Sequence, residues 1–143
     1  MKTVREVMTE QPAAVTLLDN VYEVAVKMRD YDTGFIPVID SEQGNRLIGV
    51  ITDRDLVLRG YAQKHPGSTA VETVMSKQVV SVLQSATVDE AAELMASRQI
   101  RRLPVTRNGQ LIGVVSLGDL AAKDLFADEA GEALSEISQH RLH

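Results

Sequence analysis

The chain of 143 residues has no cysteine and no tryptophan, and only five aromatic residues, Tyr22, Tyr31, Phe35, Tyr61 and Phe126. Without cysteine there is no disulfide framework and no thiolate site. With so few rings the core is aliphatic, so a slot for a planar base would be lined by Val, Ile and Leu rather than by stacked aromatics. No apolar run approaches transmembrane length, and Met1-Lys2-Thr3 does not open a signal peptide, so a cytoplasmic protein is expected. Positive charge is also in deficit. Fifteen Lys and Arg stand against 20 Asp and Glu, a net charge of −5 that disfavours nucleic acid and anionic membrane as partners. Catalytic apparatus is missing as well: there is no nucleophile–base pair, no glycine-rich phosphate loop with its lysine, and no histidine–carboxylate metal set. No catalytic residue, no metal ligand and no required cofactor is expected. His65 stands alone beside Pro66-Gly67, and His140 and His143 read as solvated tail residues.

What the chain does contain is a repeat. Val7-Met8-Thr9 returns as Val74-Met75-Ser76, offset by 67 positions, and Ile36-Pro37-Val38 returns as Leu103-Pro104-Val105 at the same offset. After the next turn the offset falls to 64, because the first copy carries three extra loop residues. The organisation is repeat one at 1–62, a linker at 63–69, repeat two at 70–127 and a helical tail at 128–143. Units of this size are marginal alone.

Each repeat reads as β-α-β-β-α behind a short amphipathic lead-in, Val4 to Met8 or Val71 to Met75. A strand at Ala14 to Leu17, or Val79 to Leu83, precedes a helix. Val21, Val24, Ala25 and Met28, and then Val88, Ala91, Ala92 and Met95, keep the i, i+3, i+4, i+7 spacing of one buried face. Asn20-x-x-Glu23 and Thr87-x-x-Glu90 are its N-terminal caps. A proline-bearing strand follows, Phe35 to Ile39 or Arg102 to Thr106, and proline places it at an edge or a bulge. Asn108-Gly109 predicts a two-residue hairpin.

The second hairpin strand leads into the most informative stretch. Leu47-Ile48-Gly49-Val50-Ile51-Thr52-Asp53-Arg54-Asp55-Leu56 returns as Leu111-Ile112-Gly113-Val114-Val115-Ser116-Leu117-Gly118-Asp119-Leu120. A buried strand hands over to a helix, Asp53 to Tyr61 or Leu117 to about Phe126, with Thr52 or Ser116 at the N-cap and Asp55 or Asp119 in the first turn. A helix start gathers unpaired N–H groups that suit a phosphate, and an Asp there suits the vicinal hydroxyls of a ribose. The same spacing also makes a self-contained cap that binds nothing.

Val-Met-Thr/Ser, the strand proline and Gly-x-x-Thr/Ser-x-x-Asp occur in order in both repeats, from about Val4 to Leu125. The chain resembles the cystathionine-β-synthase (CBS) domain family, as a tandem pair or Bateman module. The resemblance implies a mixed α/β (α+β) fold of two repeats packed through their sheets about a pseudo-two-fold axis, with two clefts between them. It implies adenosine-containing ligands: AMP, ADP, ATP or S-adenosylmethionine. Carried onto this sequence, Thr52, Arg54 and Asp55 face a wall of Ser81, Val82, Arg101, Arg102 and Leu103. Ser116 and Asp119 face a wall of Val15, Thr16, Gly34, Phe35 and Ile36. On that pairing the Asp55 cleft gathers three arginines and is expected to hold phosphorylated ligands more tightly.

Two functions remain. One is a regulatory module that binds an adenosine ligand and signals to a separate effector protein, since the chain has no room for an effector of its own. The other is a structural dimerisation module without a functional ligand. A homodimer is expected under either, because Tyr22 and Val26 lie off the core stripe of their helix and Leu56-Val57-Leu58 spans more than one face.

Overall fold

In a computed structural model of the protein, residues 2–122 are described. The expected helix end near Phe126 and the tail at 128–143, with His140 and His143, lie outside them. No helix among the described residues is long and apolar enough to cross a membrane.

Two compact units form, and neither follows the repeat boundaries of the sequence. The first contains Ala13–Val79 with Gly109–Leu111; the second contains residues 2–12, 80–108 and 112–122 of the described chain. Each repeat is therefore completed by the lead-in of the other.

In the first unit the sheet order is β2 (Val15–Thr16), β3 (Phe35–Ile39), β4 (Leu47–Thr52), with β2 parallel and β4 antiparallel to β3. Asn20 caps α2 (Val21–Asp30) through a complete capping box with Glu23. Val24 is enclosed and Val21 and Met28 are partly buried, but Ala25 is exposed. The buried stripe of α2 is thus narrower than the spacing predicts. The helix after β4 also departs from expectation. One turn of α-helix, α3 (Asp53–Asp55), passes into a π turn over Leu56–Gly60, where the Tyr61 N–H reaches the Leu56 carbonyl. Such widened turns are rare and occur mostly as single turns within helices. A 3-10 turn over Tyr61–Gln63 and a left-handed Lys64 end the segment. The lead-in helix α4 (Val71–Val74) closes the core. Val71, Val74 and Met75 join Val15, Val24, Ile36, Val38 and Ile51, and Ser76 and Val50 exchange main-chain hydrogen bonds of 2.8 and 3.0 Å.

The second unit's sheet has the order β1 (Thr9–Glu10), β7 (Gln110–Ser116, of which 112–116 belong to this unit), β6 (Arg102–Arg107), β5 (Val82–Leu83). Here the lead-in helix α1 (Val4–Val7) belongs to the first repeat in sequence, and Val4 and Val7 enter the core. On α5 (Val88–Arg98), capped by the Thr87–Glu90 box, Val88, Ala91, Ala92 and Met95 are all buried as the spacing predicts. The β6–β7 turn has Asn108 at φ 54° and Gly109 at φ 80°, the pair of positive angles that a tight hairpin needs. The last described element is α6 (Leu117–Ala122).

The prolines are not on edge strands, but β3 carries an irregularity beside its proline, a register shift between Val38 and Ile39. Pro37 and Pro104 lie in β3 and β6, each second to a short parallel neighbour. That neighbour pairs only with Val38–Ile39 or Val105–Thr106, so the proline precedes the paired stretch and no ladder bond is forfeited on that side.

Candidate functional site

The two strand-to-helix handovers are built alike. At the first, Thr52 Oγ1 accepts from the Asp55 N–H at 3.1 Å and Asp55 Oδ2 accepts from the Thr52 N–H at 2.9 Å. At the second, Ser116 Oγ accepts from the Asp119 N–H at 3.0 Å and Asp119 Oδ2 accepts from the Ser116 N–H at 2.9 Å. Both pairs are closed capping boxes. Closure does not exhaust them. An ionised carboxylate offers about four lone-pair sites, and the cap uses one. Asp55 Oδ1 is 3.9 Å from the Arg59 guanidinium, a loose contact one helical turn on, and the side chain keeps 18% of its surface exposed.

The supply of free N–H groups differs between the two starts. At the first, the Asp53 N–H is bound to the Gly34 carbonyl at 2.9 Å and the Arg54 N–H to Asp53 Oδ1 at 2.9 Å. A phosphate there finds side chains and little open main chain. It also meets the exposed Asp53 carboxylate, which opposes an anion at the positive end of a helix. At the second start the Leu117 N–H is bound to the Arg101 carbonyl at 3.0 Å, while the Gly118 N–H has no acceptor among the described residues. The arginine count alone therefore overstates the advantage of the Asp55 side.

The wall residues divide between the units. Val15, Thr16, Gly34, Phe35 and Ile36 share the first unit with Thr52, Arg54 and Asp55; Ser81, Val82, Arg101, Arg102 and Leu103 share the second with Ser116 and Asp119. Within a unit, each start is tied to the pre-proline segment of its own repeat: Phe35 pairs with Thr52, and Arg101 with Leu117. Val15, Ile36 and Leu103 are enclosed in the cores, so they brace the walls and present no surface to a ligand. Val82 is nearly enclosed. Ser81, Arg54, Arg101 and Arg102 are exposed, and Thr16, Gly34 and Phe35 are half-buried. Thr16 is engaged locally, its N–H donating to Asp19 Oδ2 at 2.8 Å.

Two features of the site are not evident from the motif. Asp53 lies directly over Gly34: a Cβ there would stand 2.7 Å from Asp53 Oδ2, so any side chain at 34 would push the exposed carboxylate aside. The aligned pair in repeat two is Arg101 and Leu117, and that exchange of Gly–Asp for Arg–Leu is the signal the sequence carried. The motif glycines have a packing reason. A Cβ on Gly49 would stand 3.0 Å from both Met75 Sδ and the Ser76 carbonyl, and one on Gly113 would meet Met8 Sδ and lie 2.8 Å from the Thr9 carbonyl. Val-Met-Thr/Ser and Gly-x-x-Thr/Ser-x-x-Asp are two halves of one contact.

Residues 4–60 and 71–125 each match the family model described as CBS domain. The chain is similar to the CBS domain-containing protein YhcV of Bacillus subtilis (strain 168), 42% identical over 143 residues and the whole of both chains. It is also similar to the protein YlbB of that organism, 50% identical over 139 residues, 97% of this chain and 93% of that one. Among solved structures it is similar to the CBS domain protein PAE2072 from Pyrobaculum aerophilum complexed with AMP, with a TM-score of 0.80, 25% identity, and 92% and 99% of the two chains covered. The CBS domain pair of protein MJ0100, in complex with 5′-methylthioadenosine and S-adenosylmethionine, shares the fold at a TM-score of 0.75 and 22% identity, over 90% and 98% of the chains.

Proposed function

This chain belongs to the CBS domain family as a tandem pair, and we propose that it is a regulatory module that binds an adenosine-containing ligand and passes the signal to a separate partner protein. The observation that carries this reading is the doubled hydroxyl–carboxylate start. Two positions, one per repeat, hold a hydroxyl and an Asp in fixed geometry with acceptor capacity left on the carboxylate. The AMP bound by PAE2072 supports the ligand class. Asp55 and Asp119 take the ribose hydroxyls, and Thr52 and Ser116 approach the phosphate. Arg54, Arg101 and Arg102 add charge-assisted bonds to it, and the wall segments that the family resemblance assigns to each start hold the base.

A ligand that binds only the folded state raises stability by RT ln(1 + [L]/Kd), about 2.7 kcal/mol at a hundredfold excess over Kd. AMP, ATP or S-adenosylmethionine is expected to raise the melting temperature, and guanosine or pyrimidine nucleotides to do so less. Asp55→Asn and Asp119→Asn separate binding from capping, because the amide oxygen still accepts the Thr52 or Ser116 N–H. Each is expected to keep the ligand-free melting temperature and to weaken one site roughly ten- to a hundredfold in titration calorimetry, the worth of a charge-assisted hydrogen bond. Binding unaffected by either substitution would remove the carboxylates from the site.

A second reading is a dimerisation module with no functional ligand. It is favoured by the self-closed caps and by the exposed apolar residues of the first unit. No melting shift with any adenosine ligand would establish it over the first.

A further inference from the structure

The second unit is finished by a segment that its own repeat does not supply. Residues 2–12 enter it from the far side of the first repeat in sequence and leave it again at a single place, between Pro12 and Ala13. The segment is held by main-chain bonds along its whole length. The Val4 N–H donates to the Ala86 carbonyl at 2.8 Å, the Val88 N–H to Lys2 at 3.1 Å and the Arg5 N–H to Gln84 at 3.4 Å. Thr9 and Glu10 then pair antiparallel with Val114 and Gly113 on the outer edge of β7. Side chains key it in place: Val4 and Val7 fill the core, and Met8 lies on Gly113, where any Cβ would collide with it. This is a complete socket for a short peptide, with a sheet edge for the main chain and apolar sites for chosen side chains.

None of these contacts is covalent, and the exit carries strain. Gln11 adopts φ 49°, a left-handed conformation that costs a side-chain-bearing residue, directly before Pro12. Its return to an extended conformation relieves that strain and swings the segment away. The other lead-in has no such freedom, because Val71–Ser76 is contiguous with the unit it completes.

We propose that residues 2–12 are an exchangeable segment, and that the socket on the second unit accepts the same segment from a second copy of this chain, giving a segment-swapped dimer. A second copy is the occupant because it offers Val4, Val7 and Met8 in the same spacing and forms every bond of the closed chain. The exchange therefore costs only the loss of free translation. Ligand binding plays no part in it.

The absence of cysteine makes the test direct. Thr9 and Val114 are paired residues on β1 and β7. Full-length Thr9→Cys and Val114→Cys chains are mixed, unfolded together and refolded under mild oxidation across a range of chain concentrations. Exchange is expected to give a disulfide-linked heterodimer whose yield rises with concentration. Adding Gln11→Gly, which adopts the left-handed angle without strain, is expected to lower that yield several-fold. Thr3→Cys with Thr87→Cys reads the other end of the segment should the first pair fold poorly. A heterodimer yield no greater than that of Thr9→Cys with Gln110→Cys, out of register on the same strand, would overturn the proposal. So would a doubly substituted Thr9→Cys/Val114→Cys chain that closes only on itself at every concentration.

Discussion

Single atoms decide the character of the two helix starts. Asp53 occupies the N–H of Arg54 and packs its carboxylate over Gly34, so the first start is both filled and negatively charged. Asp53→Asn keeps the acceptor and removes the charge. It is expected to tighten AMP binding a few-fold and to leave adenosine unchanged, since a charge at a helix end is worth about 0.3–1 kcal/mol. Equal gains for both ligands in calorimetry would show that phosphate is not held there. The motif glycines make a second residue-scale prediction. Gly113→Ala places a methyl 2.8 Å from the backbone carbonyl of Thr9, which has no rotamer with which to retreat. Gly49→Ala places one 3.0 Å from the Ser76 carbonyl and from the sulfur of Met75, which can give way in part. Gly113→Ala is expected to cost about 1–3 kcal/mol, the usual penalty of overpacking, and Gly49→Ala less. Urea melts of the two variants check the order.

At the scale of elements, the helices are set by their caps and the sheets by what covers their edges. Thr87 holds the start of α5, which carries Val88, Ala91, Ala92, Met95 and Ala96 into the core. Thr87→Ala is expected to cost about 1 kcal/mol in an equilibrium unfolding measurement. Thr87→Ser should restore most of it, because the hydroxyl that accepts from the Glu90 N–H returns. The lead-ins matter more. Three of the eight buried residues that form the first unit's core cluster are Val71, Val74 and Met75. Burying an aliphatic side chain of this size is worth roughly 1.5–3 kcal/mol, against a total stability of about 5–15 kcal/mol for a domain. A repeat cut at its sequence boundary loses a share of its core comparable with its whole margin.

On the scale of the molecule, the apolar surface is unevenly spread. Tyr22 is 64% exposed and Val57 57% exposed, with Leu58 and Tyr61 open beside them in the first unit. The aligned positions on α5 carry Asp89 and Glu93 in place of Tyr22 and Val26. An exposed apolar face of this kind suits a two-fold interface, and a homodimer through it is the expectation. For protein that has never been unfolded, in which residues 2–12 fill their own socket, light scattering is expected to give twice the 15.6 kDa chain mass, and Tyr22→Asp with Val57→Asp to return the single-chain mass with the circular dichroism of the folded chain unchanged. A wild-type mass of one chain at tens of micromolar (about a hundredfold above a sub-micromolar Kd) would leave the patch without a partner.

Local chemistry was legible and long-range completion was not. Asn20-x-x-Glu23, Thr87-x-x-Glu90 and the two Thr/Ser-x-x-Asp boxes each close over three residues, and Asn108-Gly109 closes over two, so the sequence by itself determined the helix starts, the hairpin and the doubling of the site. Phe35–Ile39 follows from its apolar run and β-branched content in the same way. The face of α2 was misjudged at Ala25 because periodicity reports which residues share a side, and the neighbouring core decides how wide that side is. Which lead-in completes which unit is beyond any local rule. Val4-x-x-Val7-Met8-Thr9 and Val71-x-x-Val74-Met75-Ser76 carry Val, Val and Met at the same spacing ahead of a hydroxyl residue, so the pattern does not say which glycine each one meets. Only the tertiary structure assigned them, and only strand register showed that the Gly34 and Arg101 carbonyls had already taken N–H groups from the helix starts, because both depend on pairings between residues far apart in the chain.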